Sequence, residues 1–597
     1  MVKKAKSKLQ EKDNSSFERL IKIGIALSAE RDTNRLLETI LLEAKSLSNA
    51  DGGTLYLSDS DGSLKFEIMN TDSLDLFMGG TSGKKITYPP VRLLDRKTGE
   101  ENHSNVASSV ALTGKSINIK DAYSSKDYDF SGTKKFDEAT GYRSKSFLTV
   151  PMKNSQNKVI GVLQLLNAKH LSTNQIIPFG KKVQPLIEAL ASQAAMALDN
   201  KQLLDGQKAL LDSFIELIGS AIDSKSPYTG GHCQRVPELT KMLAQAACNE
   251  PDGPFADFKL NDDEWYELHI AAWLHDCGKV TTPEYVVDKA TKLETIYDRI
   301  HEIRTRFEVV KRETEIAYLK AIIDGEGDTD ELRLDLDRKL AKLDDDFNFI
   351  AKSNLGGEFM DPEHIERIKK IADITWTRTL DNRIGISKAE KLRSERSPAT
   401  KLPVKEKLLD DREDHIFLRD EKRLSELKRS YGFKLDVPKL KFNLGEIYNL
   451  SIPKGTLTKE ERFKINDHIV QTIIMLEQLP FPDNLKRVPE YAGGHHEKLD
   501  GTGYPRKLTK ENMSIPSKIM AIADIFEALT AADRPYKLPK KLSESIRIMS
   551  FMKEDKHIDS DLFKLFLTSG IYKTYAENYL KSEQLDEVDI SQYIEDD

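Results

Sequence analysis

Between Phe17 and about Asn49, apolar residues recur at spacings of three and four (ERLIKIGIALSAERDTNRLLETILLEAKSL), which predicts helix. The rhythm then shortens to strand-like runs at 53–59 (GTLYLSD), 63–69, 115–121, 146–152 and 158–168, several of them separated by Asp-Gly or Asn-Ser turns. A closing helix runs on from Pro185 toward Ile222. Together these elements predict an α+β domain over 17–200, preceded by a polar tail at 1–16 and followed by a connecting helix at 186–222. On that helix Ile187, Ala194, Ile215 and Ile222 share one heptad position. Leu190, Ala197, Leu204, Leu211 and Ile218 share the position three further on, and Lys201 and Lys208 interrupt the first stripe. Such a seam suits a parallel two-chain coiled coil, and suits equally one helix shared between two domain cores. From 213 onward nearly everything reads as helix, giving an all-α domain over 213–575 and an acidic tail at 576–597. Within it, 288–455 is dense in oppositely charged neighbours at helical spacing, the mark of a solvated helical insertion without visible chemistry.

A chain of 597 residues exceeds one hydrophobic core, in keeping with this division. The formal net charge of −7 argues against a coat for polymeric nucleic acid and against electrostatic membrane binding, so an anionic substrate has to be met by local cations. Three cysteines, none in a CxxC pair, fit a reducing compartment, and the basic start lacks an apolar signal-peptide stretch. The expectation is a cytoplasmic protein.

The histidines carry the chemistry. His275 and Asp276 (HDCGK) end an apolar run, HIAAWL, where both side chains can reach one divalent ion at a helix end. Alone, that motif is better read as a capping Asp beside a core His. GGHHEKLDGTGYP (493–505) shifts the balance: His495 and His496 stand side by side in a glycine frame, and two buried neighbouring imidazoles without a metal are an expensive arrangement. His269, inside the apolar run, reads as a core histidine.

Together, HDCGK and HHEKLDGTGYP resemble the HD-GYP family, a branch of the HD metal phosphohydrolases that hydrolyses cyclic dinucleotides. Other segments are similar residue by residue. SPYTGGHCQRV contributes His232, LTKEERFKINDHIVQTIIML contributes His468, and IMAIADIFEALTAADRPYK contributes Asp524, with Arg534 and Lys537 beyond it. His301 is the competitor for the place of His468, but its spacing after TKLE is too short. The resemblance implies a helical bundle with two divalent ions, iron or manganese, held by His232, His275, Asp276, His468, His495, His496 and Asp524, with Asp276 as bridge. Tyr228 stands where some members have a glutamate for a third ion. It further implies opening of cyclic di-GMP to linear pGpG by a metal-activated hydroxide, with GMP as the alternative end product. Asp276 and Lys279 would then be catalytic, and Lys279, Arg534 and Lys537 would contact phosphate. Asp500 and Tyr504 would shape the substrate loop, Glu497 would orient an imidazole, and Cys233 and Cys277 would pack. The hybrid cyclic GMP-AMP as substrate, or a catalytically silent cyclic dinucleotide sensor, are the alternatives.

The N-terminal order of elements resembles a GAF domain. KDYDFSGTKKFDEATGYRSKSFLTVPM (126–152) is similar to the signature of GAF domains that bind cyclic mononucleotides, which implies a cAMP or cGMP site using Phe130, Asp137 and Thr140; the alternative is that Asp137 caps a helix or pairs locally. The whole chain is thus expected to be a GAF sensor joined by a long helix to an HD-GYP bundle, dimeric through that helix, with the GAF ligand acting on the segment that leads to His232.

Overall fold

The computed structural model describes residues 18–95, 98–225, 231–357, 359–420, 430–531 and 539–594. It divides into two compact units, 1–211 and 212–597. In the first, a helix over 18–29 and α1 (Thr33–Ser48) precede an antiparallel sheet. Asp32 caps α1 by accepting from the Arg35 amide, and Asn49, left-handed at φ 52°, ends it. The main strands are β1 (Ala50–Ser58), β2 (Ser63–Thr71), β3 (Leu76–Gly79), β5 (Ile117–Ile119), β6 (Phe147–Lys153) and β7 (Val159–Lys169), in the order β3-β2-β1-β7-β6-β5. Two short strands, β4 (Val91–Arg92) and β8 (Ile176–Ile177), pair with β2 and β7. One face of the sheet buries Leu55, Ile68, Leu148, Val150, Leu163 and Leu165 against α1 and the start of the long helix α4 (Val183–Asp223). The other face carries α2 (Val106–Thr113) and α3 (Ser131–Thr140). This is the α+β architecture expected from the alternation of the sequence, with four of the five expected runs landing within a few residues of a long strand.

The heptad seam of α4 is divided. Ile187, Leu190 and Ala194 are buried in the first core, Ile215 and Ile222 in the second. Between them Leu203, Leu204, Leu210, Leu211, Phe214, Leu217 and Ile218 are exposed. The first expected stripe therefore serves the domain cores, while the second stays open from Leu204 to Ile218 and is joined there by Phe214.

The second unit is a helical bundle. Its core is built by α5 (His232–Asn249), α6 (Asp262–Leu274), α10 (Val488–Gly493), α11 (Ile515–Thr530) and the helices of 542–579, with α9 (Lys459–Glu477) alongside. The described part of the acidic tail, up to residue 594, packs on this bundle: Asp586 accepts from the amide and hydroxyl of Ser543, and Val588, Ile590 and Tyr593 pack on the core.

Residues 288–455 depart furthest from expectation. The long charged helices exist as α7 (Ile300–Asp324) and α8 (Thr329–Asn354), but the segment has a core of its own around Leu293, Ile303, Phe307, Ile350, Ile368 and Leu409. It also contains two short antiparallel strand pairs, β9 (Thr375–Arg378) with β10 (Val404–Lys407) and β11 (Ile416–Leu418) with β12 (Leu440–Asn443). Buried polar contacts bind its two ends together. Lys292, fully buried, donates to the carbonyls of Leu450 and Ile452, and the Thr456 hydroxyl donates to the carbonyl of Lys289. Lys289 itself forms a buried pair with Glu461 at 2.9 Å, on the first turn of α9.

Candidate metal centre

The centre is assembled at helix ends. Gly231, at φ 82°, turns the chain so that His232 opens α5. A capping box between Asn261 and Glu264 starts α6, whose apolar side runs to Leu274; His275 ends it, and Asp276 leaves helical geometry at φ −107°, ψ 10°. That break lets two adjacent residues address one point. A short turn, Cys277–Thr281, follows and lies directly on α9, where the Gly278 amide donates to the Thr472 hydroxyl. His468 projects from the middle of α9, His495 and His496 follow α10, and Asp524 sits mid-way along α11.

These side chains converge as two groups: His232, His275, Asp276 and Asp524, and Asp276, His468, His495 and His496. Within each, one ligand atom per residue lies within 4.8 Å of all the others. Asp276 belongs to both. Its Oδ2 stands 3.2 Å from Nε2 of His232 and of His275, and its Oδ1 stands 3.2 Å from Nε2 of His468. His232 Nε2 lies 3.3 Å from Asp524, and His496 Nε2 lies 3.2 Å from His468 Nε2. His275, His468 and His495 each donate Nδ1–H to the carbonyl three residues earlier, of Ala272, Ile465 and Ala492. This fixes the tautomer and leaves Nε2 as a lone-pair donor toward the centre. All seven residues expected from the sequence are therefore brought together.

An eighth participant, Glu527, was not anticipated. It lies three residues after Asp524 on α11, fully buried, receiving Nδ1 of His232 on one oxygen and Arg235 on the other, at 2.7 Å from Nε. The i, i+3 spacing of Asp524 and Glu527 on one helix face was the available signal. Its role is to orient an imidazole, the task expected of Glu497. Glu497 is also buried, but it accepts from the amides of Arg506 and Leu508 and so pins the chain after the glycine loop.

The electrostatics match a cation site. Burial alone would lower the pKa of His232, yet Asp276, Asp524 and Glu527 hold it well above the ordinary imidazole range. Burial likewise opposes ionisation of Asp276, and Lys279 and His275 overcome it, keeping the carboxyl well below its usual range. His495 is pushed down to about 4 by burial and by His275, and His496 is lowered by burial and by its neighbours His495 and His468, so both are neutral, the form in which an imidazole coordinates. Two atoms of the centre are left over: Asp276 Oδ1 and His495 Nε2 are buried without a hydrogen-bond partner among the described residues. An unsatisfied carboxylate oxygen and an unsatisfied imidazole nitrogen aimed into one nest of donors fit divalent cations and have no cheaper explanation.

Around this nest, the Lys279 ammonium contacts Asp276, and burial, which would lower its pKa, is outweighed by Asp276 and Asp524. The Tyr504 ring stacks on His496 at 4.9 Å between centroids. Asp500 is occupied by the amide and hydroxyl of Thr502 and shapes the loop. Gly503 is required there for close approach, since a Cβ would stand 2.2 Å from the Lys498 amide nitrogen. Cys233 and Cys277 are buried and belong to neither ligand group, and His269 stacks on Tyr266. Arg534, Lys537 and Tyr228 lie outside the described residues.

The first unit holds a cavity of about 320 Å³ lined by Tyr56, Phe66, Tyr88, Phe130, Phe136 and Phe147 among others. Phe130 is at the cavity; Asp137 and Thr140 are not among its lining residues. Asp137 accepts from the Ser144 amide and hydroxyl and from Tyr123, and the Thr140 hydroxyl donates back to the Phe136 carbonyl. Asp137 thus pairs locally. Asp129 is the one charged lining residue among those described, and the first residues of α2 and α3 complete the wall.

Comparison with known proteins agrees with this division. Residues 32–198 match the GAF domain family and residues 403–562 the HD domain family. The second match begins within the 288–455 segment and takes in His468, His495, His496 and Asp524, but leaves out His232, His275 and Asp276, which precede it in sequence. Among curated proteins, a 3′3′-cGAMP-specific phosphodiesterase of Vibrio cholerae is 34% identical over 24% of this chain and 35% of its own length. A cyclic di-GMP phosphodiesterase of Pseudomonas aeruginosa is 39% identical over 15% of this chain and 22% of its own, and one of Thermotoga maritima is 40% identical over 16% and 25%. The aligned part thus spans about a third or less of these relatives. Among the described residues no helix is long and apolar enough to cross a membrane.

Proposed function

We propose, for a chain that carries a GAF domain and an HD domain of the HD-GYP kind, that it is a metal-dependent phosphodiesterase opening cyclic di-GMP to linear pGpG. The observation that carries this reading is the membership of Asp276 in both ligand groups, which is what one site for a pair of ions, rather than two separate sites, would require. Two divalent ions, iron or manganese, would be held by two histidines and two aspartates (His232, His275, Asp276 and Asp524) on one side and by three histidines and Asp276 on the other. When bound, they would supply Lewis acidity to the phosphate and to the attacking water.

The protein's own groups do the rest. The Nδ1–H bonds to backbone carbonyls and the Glu527 contact hold the imidazoles in place before substrate arrives. Lys279, kept protonated beside Asp276, offers a positive charge to a phosphate lying over the centre. Tyr504, stacked on His496, sets one edge of the substrate position, and Arg534 and Lys537 would grip phosphate by analogy with the motif they occupy. Cyclic GMP-AMP is the second substrate reading, favoured by the name of the Vibrio cholerae relative, and further cleavage to GMP is a second product reading.

The GAF cavity would take a regulatory ligand. A cyclic mononucleotide would stack its base among the aromatic residues and direct its phosphate to the amides that open α2 and α3, as no lysine or arginine lines the cavity among the described residues. The exposed apolar stripe of α4 would be covered by the same stripe of a second copy. Elemental analysis of the purified protein, with turnover of cyclic di-GMP against cyclic GMP-AMP in the presence and absence of cAMP and cGMP, tests this reading. About two ions per chain and hydrolysis abolished by Asp276→Asn are expected. A metal-loaded protein that binds but never cleaves either dinucleotide would make it a sensor instead.

A further inference from the structure

The long insertion ends against the glycine loop. The Lys434 amide donates to the Pro505 carbonyl at 2.8 Å, Arg506 Nε donates to the Tyr431 carbonyl, and Lys507 pairs with Asp436 at 3.2 Å. Phe433 and Leu435 share an apolar cluster with Phe463, Val470 and Ile473 of α9, and Tyr504 packs against it. On the other side of this junction, Tyr448 donates to Glu460, and Lys289 holds Glu461. The insertion is thus fastened both to the loop that follows the tandem histidines and to the first turn of the helix that carries His468.

Between these fastenings lies a cavity of about 1100 Å³, bounded by 435–438, 448–459, α9 and the loop at 501–507. Lys459, Arg462, Phe463 and Asn466 line it at i, i+3, i+4 and i+7, one face of α9. His468 points from the other side of α9, so the cavity meets the ligand layer at Tyr504, which lines it and stacks on His496. Among the described residues its charged lining consists of Lys454, Lys459, Arg462 and Lys507 against the single carboxylate of Asp436, in a chain whose net charge is −7. Lys507 is paired with Asp436; Lys454, Lys459 and Arg462 have no ion pair among the described residues. Uncommitted cations, aromatic rings and room for a nucleotide-sized ligand in one recess are what a base and a phosphate require.

We infer that this recess, half of it built by the insertion, binds the part of the cyclic dinucleotide remote from the phosphate being cleaved, with Arg462 and Lys454 contacting the second phosphate and Tyr504 stacking a base. The inference rests on the phosphodiesterase reading and deepens it, giving the insertion a part in substrate selection. Both cations are exposed on the recess wall and outside the metal-ligand set, so their substitution leaves the centre intact.

The test uses the full-length metal-loaded protein and two substrates: cyclic di-GMP, and bis(p-nitrophenyl) phosphate, a diester too small to span centre and recess. Arg462→Ala and Lys454→Ala are each expected to raise KM for cyclic di-GMP about tenfold or more, the value of a lost charge-assisted hydrogen bond, with kcat within about twofold. Arg462→Lys is expected to recover part of the loss. Turnover of bis(p-nitrophenyl) phosphate should not change in any of the three. Unchanged KM for cyclic di-GMP in both alanine variants overturns the inference while leaving the phosphodiesterase reading untouched, and so does an equal loss on both substrates. Failure of the unsubstituted protein to cleave either substrate overturns the phosphodiesterase reading itself.

Discussion

Gly278→Ala isolates the contact on which the shared ligand depends. Gly278 has no unusual backbone conformation to protect, so a methyl group there acts by space alone. That Cβ would stand 1.9 Å from the His468 carbonyl oxygen and 2.5 Å from the Thr472 nitrogen, where real contacts essentially never fall below 3.0 Å. The turn carrying Asp276 and the helix carrying His468 would have to part by about an ångström, and because the obstructing atoms are backbone, no side chain can swing aside. Overpacking of this kind destabilises by about 1–3 kcal/mol. The larger effect is on the centre: the 3.2 Å approach of Asp276 Oδ1 to His468 Nε2 is the link between the two ligand groups, and a misplacement of about 1 Å in a reacting constellation lowers rates by about 10²-fold. The expected outcome is a folded protein with a lowered melting temperature, metal content falling from about two ions toward one per chain, and kcat reduced by about two orders of magnitude. Elemental analysis, thermal unfolding and steady-state kinetics on one preparation read all three. Gly206→Ala, on an exposed turn of α4 with open space around it, is the matched control and should be neutral or stabilising by up to about 1 kcal/mol. A Gly278→Ala protein with full metal content and an unchanged rate would refute the claim that this close approach sets the bridge.

Glu527→Gln keeps a hydrogen-bonding group beside His232 but removes the charge, and should weaken metal affinity about 10–100-fold, measured by competition with a chromophoric chelator; an unchanged affinity would reduce Glu527 to a packing residue. Lys292 is buried with uncharged partners, the carbonyls of Leu450 and Ile452 and the Met360 sulfur, and burial lowers its pKa to about 8, so between pH 8 and the ordinary lysine value the unfolded chain holds the proton more tightly. Stability of the unsubstituted protein relative to Lys292→Met should therefore rise across that window, by up to about 3 kcal/mol, and stay level below pH 8; a fall with rising pH in denaturant titrations would contradict the sign. Leu204→Glu with Leu211→Glu, both on the exposed stripe of α4, should convert a dimer to a monomer in light scattering while circular dichroism stays constant. A dimer that survives both charges would place the interface elsewhere.

The metal centre was legible because its ligands are chemically rare and sit in motifs whose glycines and apolar flanks fix the local geometry. Strand alternation likewise gave β1, β2, β6 and β7, where each residue has a definite inside or outside. Glu527 escaped because a glutamate on a helix is ordinary until its neighbour on the same face is known to support a ligand. Asp137 shows the converse: the residue occurs at the expected place, but the Ser144 amide and hydroxyl and Tyr123 reach it first, a competition that sequence does not encode. In the insertion, the four-residue strands TWTR and VKEK are too short and too polar for any period to emerge, and their pairing is decided by contacts distant in sequence. The same holds for α4, where the choice between core and open surface follows from which residues each domain happens to claim.

The ends of the insertion meet at Lys289, Lys292, Leu450, Ile452 and Thr456, within single hydrogen bonds of one another. The polypeptide therefore leaves the bundle and returns through one doorway. Once that detour has folded on its own core, the chain connecting the early histidines to the late ones behaves as a short tether, and the entropy of closing it no longer grows with the number of residues inside. A site split so widely along the gene can then assemble with little more delay than one encoded in a single stretch.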